Sequence, residues 1–87
     1  MPRVSAREIA QVCQPLNKER AYPELGYYYL MSGYGGYKLV QIINEHGGVR
    51  DVLPHMGYAA GREAVAAVRS FIYGVREEEE NKRRGLI

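Results

Sequence analysis

His46 and His55 are the only imidazoles in the chain, and with Glu45 and Asp51 they form the one grouping that could be imagined around a metal ion. Their spacing matches none of the tight helix or turn arrangements that zinc sites use, so no metal and no cofactor is expected. A Cys-His nucleophile pair would have to join Cys13 to one of these histidines, and nothing local marks either partner as activated. Cys13 reads better as a small buried apolar side chain. The Gly33-Tyr34-Gly35-Gly36 run is rich in glycine, yet no Gly-Lys-Ser/Thr follows it and it lies between two predicted strands, so it reads as a hairpin tip and not a phosphate loop. These residues point away from an enzyme. The remaining catalytic alternative is a small enzyme or ligand site formed between subunits, with His46, His55 and Asp51 as acid-base candidates.

The residue type that does stand out is tyrosine, with eight against a single phenylalanine. A tyrosine joins a large apolar ring to a hydroxyl that needs a partner, which favours surfaces that are part dry and part wet, protein interfaces among them. Tyr34 falls on the hairpin tip, and Tyr27, Tyr28, Tyr29 and Tyr37 fall on the flanking strands. These five are the candidate partner-binding residues.

The elements that must carry them are legible from period and punctuation. Ser5-Ala6-Arg7-Glu8 has the form of a capping box, Val4 and Ile9 take the positions of a hydrophobic staple, and Ile9, Val12, Cys13 and Leu16 continue an apolar stripe at helical spacing. Pro15 disfavours helix at Gln14, which predicts closure near residue 14. Residues 25–31 and 37–43 are aromatic and β-branched, and the glycine-rich tip between them makes a hairpin. Gly47-Gly48 then turns the chain into a shorter strand over residues 49–53 that ends at Pro54. After Gly57, Ala64, Val65, Val68, Phe71, Ile72 and Val75 recur at helical spacing, with no capping side chain before them. The predicted architecture is α+β: a helix, a three-stranded antiparallel meander and a C-terminal helix (αβββα), with residues 1–87 forming a single domain. Residues 77–87 read as a charged helix extension or frayed tail, supported by i,i+4 pairs Glu78-Lys82, Glu79-Arg83 and Glu80-Arg84.

Both faces of the predicted sheet carry apolar residues. Leu25, Tyr27, Tyr29 and Met31 share one side of the first strand, and Tyr28 and Leu30 the other; the second strand divides Tyr37, Leu39 and Ile43 from Val40 and Ile42. A small antiparallel sheet normally keeps one face wet, so this pattern implies that the second face meets something else. If both helices sit on one face, the other is an apolar patch that wants a partner.

Composition bounds the remaining readings. No apolar run approaches the ~20 residues of a membrane span, the N-terminus lacks the core of a secretory signal, and one cysteine allows no internal disulfide, all of which predict a cytoplasmic protein. The net charge of +2 divides unevenly: residues 77–84 hold four acids and three bases, leaving nine bases against six acids elsewhere. That is mildly basic. A nucleic-acid-binding alternative would place Arg3, Arg7, Lys18, Arg20, Lys38 and Arg50 on phosphates and stack exposed tyrosines on bases.

The stretch from Tyr28 to Val52, YYLMSGYGGYKLVQIINEHGGVRDV, resembles the small orphan α+β accessory proteins of phages and other mobile elements. That resemblance implies a protein acting stoichiometrically, by binding and blocking a host protein as the anti-CRISPR class of inhibitors does, and it transfers no functional residues. With the two-sided strands, it favours a non-enzymatic binding protein, an inhibitor or regulator that works through protein-protein contacts and self-associates as a homodimer or larger homo-oligomer.

Overall fold

The computed structural model describes residues 5 to 85. Ser5 sits in extended geometry and its hydroxyl accepts from the Glu8 N–H at 3.1 Å, which starts α1 (Ala6–Gln11). Only this half of the capping box forms. The Glu8 carboxylate instead lies 3.6 Å from the Arg69 guanidinium on the C-terminal helix, and Val4, the predicted staple partner of Ile9, lies outside the described residues. The helix does break where Pro15 approaches, but the chain resumes in one further turn, α2 (Gln14–Asn17). Proline is tolerated in a first turn because its missing N–H has no partner there anyway.

Three strands follow: β1 (Tyr28–Gly33), β2 (Gly36–Ile42) and β3 (Val49–Asp51). They form an antiparallel meander in the order β1-β2-β3, as short glycine turns favour. β1 begins three residues later than its aromatic composition predicts, because the chain is still turning through residues 22–26, where Gly26 takes φ 89°. At the hairpin only Tyr34 and Gly35 form the turn, and Gly33 pairs with Gly36 inside the ladder. Both turn residues have positive φ, 48° and 75°, the backbone of a type I′ turn. Gly36 is needed for closeness: a Cβ there would stand 2.6 Å from the Ala59 carbonyl oxygen, whose own chain bridges to Tyr37.

The last element, α3 (Gly61–Arg83), starts without a side-chain cap and buries Ala64, Val65, Val68 and Ile72. These meet Cys13 and Leu16 from the N-terminal helices and Leu30 and Leu39 from the sheet in one core. Both helical segments therefore lie on the same sheet face. Residues 77–83 continue α3; Lys82 and Arg84 reach Glu78 and Glu80 as predicted, while Arg83 turns to Glu80 at i,i+3 rather than to Glu79. No helix among the described residues is long and apolar enough to cross a membrane.

Candidate protein-binding surface

Strand register divides the tyrosines between the two faces. Directly opposed residues share a face, so the helix-side face carries Tyr28, Leu30, Tyr37, Leu39, Gln41 and Arg50. The open face carries Tyr29, Met31, Lys38, Val40, Ile42, Val49 and Asp51, and Tyr27 precedes β1 with the same parity. Tyr28 and Tyr37 pack against the core, which removes them from the open face; Tyr27 and Tyr29 stay on it. The sequence pattern groups Tyr37 with Tyr27 and Tyr29 only by strand position, and the hairpin register is what separates them.

Tyr22 joins Tyr27 and Tyr29 from the loop after α2. Its ring stands edge-on to both, with centroids 5.9 and 5.8 Å away. Tyr22 is 66% exposed, while Tyr27 and Tyr29 are half-buried. Burial, and then the neighbouring Tyr22, push the Tyr29 phenol above its ordinary pKa. Beside it, Val40 and Ile42 are 0% and 2% exposed although they lie outside the core beneath the helices. Tyr29 and Asp51 flank Val40 across the ladder, and Val49 stands opposite Ile42.

The far end of the open face is a second aromatic group. Tyr58 lies over Gly33, where a Cβ would be 2.8 Å from its ring, and Tyr34 stands edge-on to it at 5.0 Å. Tyr34 is 94% exposed in a left-handed conformation that non-glycine residues rarely adopt. The Lys38 ammonium lies 4.8 Å from the Tyr58 ring centroid and 3.1 Å from the Asp51 carboxylate. The hydrogen bond from Lys38 to Asp51 is the foremost cause holding that ammonium above its ordinary pKa. Tyr22 and Tyr58 lie in irregular segments with no period to assign them a face. The one sequence signal for Tyr58 is Gly33, an in-strand glycine of the kind that leaves room for a close neighbour.

The basic residues are not gathered on one surface. Lys38 belongs to the open face and is neutralised by Asp51, whereas Arg50 lies on the helix-side face and donates to Gln41 Oε1 at 2.9 Å. Arg7 is exposed on α1, Lys18 follows α2, and Arg20 donates to the Leu16 carbonyl at 3.0 Å. Arg3 lies outside the described residues.

The acid-base candidates are also dispersed. His46 and His55 are exposed in the loops before and after β3, and the Asp51 carboxylate is engaged by Lys38. His55 borders an apolar groove of about 600 Å³ between the 52–56 loop and α3, whose other polar lining side chain is Ser70. Cys13 is buried and its thiol is pushed up to about 12 by that burial, far from a nucleophile's range. Among the described residues, no group of three or more His, Cys, Asp or Glu side chains is placed to hold a metal ion. No protein-family model matches the chain, and neither the curated proteins nor the solved structures provide a match.

Proposed function

We propose that this chain is a non-enzymatic binding protein whose open sheet face is a protein-contact surface, and that it self-associates. The observation that carries the reading is the cluster of Tyr22, Tyr27 and Tyr29 on the sheet face opposite the helices. Rings already held against one another lose little freedom when a partner covers them, and their hydroxyls tolerate the wet rim of an interface. The face carries little net charge because Lys38 and Asp51 pair, which suits another protein better than a polyanion. On this reading the protein acts stoichiometrically, as an inhibitor or regulator of the kind that mobile elements encode.

The experiment is the solution mass by light scattering over a range of concentration, at low and high salt, for the wild type and Tyr22→Ser. Association that persists in high salt and weakens in Tyr22→Ser supports the reading. A monomer at every concentration, together with a salt-sensitive mobility shift of a nucleic-acid probe, would replace it with nucleic-acid binding.

A further inference from the structure

The two edges of the sheet are unlike. β3 is three residues long and carries Arg50 and Asp51, the short and charged form that discourages pairing with another chain. β1, at the opposite edge, is the six residues YYLMSG with no charge and no proline. Its outward main-chain groups can be identified. Asn17 bonds both the N–H and the C=O of Tyr28, on the side away from β2, so by alternation Leu30 and Ser32 also point their main-chain groups outward. No hydrogen bond to Leu30 or Ser32 beyond their own helix or strand ladder is made among the described residues. The edge is thus paired at Tyr28 and unpaired at Leu30 and Ser32.

We infer that β1 pairs with β1 of a second copy, antiparallel about a twofold axis at Met31, to make one continuous six-stranded sheet. This rests on the self-association proposed above and names the seam.

An open stretch with two outward residues is its own complement in one antiparallel register. Leu30 of each copy exchanges main-chain bonds with Ser32 of the other, and Met31 meets Met31 as the close, non-hydrogen-bonded pair. The same register sets Tyr29 of one copy opposite Gly33 of the other. Gly33 has no side chain and is covered by Tyr58, so Tyr29 meets an aromatic ring there. The two open faces then form a single surface, with the Tyr22, Tyr27 and Tyr29 clusters near its centre. An uncharged strand facing an uncharged strand has no electrostatic reason to prefer a foreign partner, and the register needs nothing that a second copy lacks.

Charge swapping at Met31 tests this on the full chain. Met31→Lys alone and Met31→Glu alone set like charges directly opposite across the axis, and each should weaken the dimer by about tenfold or more as read by light scattering. An equimolar mixture of the two should restore it, because only a residue facing its own copy is rescued by its opposite. Near-ultraviolet circular dichroism checks that each variant stays folded. Ser32→Pro, which blocks the outward N–H without touching the β1-β2 ladder, serves as a second probe. Met31→Lys and Ser32→Pro variants that each self-associate as tightly as the wild type overturn the edge pairing and leave the tyrosine-face reading standing. A wild type that is monomeric throughout overturns both.

Discussion

The side-chain amide of Asn17 faces the main chain of Tyr28 as a neighbouring strand would: Tyr28 N–H donates to Oδ1 at 2.6 Å and Nδ2 donates to the Tyr28 carbonyl at 2.9 Å. Asn17 is 4% exposed and is the one buried polar residue among the described residues. It ties α2 to the edge of the sheet, and it ends the stretch of β1 that another strand can reach.

Replacing Asn17 by alanine leaves both Tyr28 groups without a partner in a place water reaches poorly. Each such group costs about 1–3 kcal/mol. By contrast the Ser5 cap is exposed, and losing it costs about 0.5–2 kcal/mol. Asn17→Ala should therefore lower the urea midpoint more than Ser5→Ala, at unchanged slope. Equal losses would mean that water replaces the amide and that Asn17 holds nothing in place.

The hairpin tip predicts an order of costs. Gly36→Ala must displace the Ala59 main chain and should lose about 1–3 kcal/mol or more. Gly35→Ala meets no atom, and only its φ of 75° opposes it, for about 1–2 kcal/mol. Tyr34→Asn relieves a left-handed tyrosine but loses its contact with Tyr58, two effects of about 1 kcal/mol each with opposite sign, so stability should barely change. Denaturant melts of the three variants give the order directly. A large loss in Tyr34→Asn would make that tyrosine part of the fold rather than of a contact surface.

Capping, period and glycine placement made the αβββα order readable from the sequence. Ser5 accepts from Glu8, residues 61–83 form the last helix, and the turn falls within Gly33-Tyr34-Gly35-Gly36. What escaped was everything set by distant contacts. Asn17 holds the start of β1 at Tyr28 from eleven residues away, and no local pattern records that. Tyr37 parts from Tyr27 and Tyr29 because the hairpin pairs it with Ser32, on the face of Tyr28 and Leu30, and alternation read along each strand alone does not carry across the turn. Tyr22 joined the cluster through an irregular loop, where periodicity gives no orientation.

Removing residues 77–87 should cost little. The ion pairs there are exposed and worth about 0.2–0.5 kcal/mol each, and the apolar side chains that α3 buries end at Ile72. One side-chain interaction that crosses the cut is that of Tyr73 with Glu77, which holds the Tyr73 phenol above its ordinary pKa. A thermal melt of the truncated chain should fall by only a few degrees. A collapse of the transition would show that the charged segment supports the core.

Cys13 offers a readout of opening and of alkaline stability together. Its thiol lies in the core beside Leu16 and Leu30, and burial raises it to about 12, against an ordinary value near 9. A group whose folded pKa is raised gives stability that is whole below the unfolded pKa and is lost as pH rises through the folded one. The fold should therefore keep its urea midpoint from pH 7 to about 8.5, within the thiol's neutral range, and lose stability steadily between pH 9 and 12. In Cys13→Ala, whose side chain has no proton to lose, that alkaline slope should flatten. Iodoacetamide should label wild-type Cys13 slowly in the native state at pH 8 and rapidly in urea. Rapid native labelling at pH 8 would mean that the groove lined by Ala6, Ile9, Cys13 and Tyr22 opens far enough to expose the thiol, and the alkaline loss should then disappear with it.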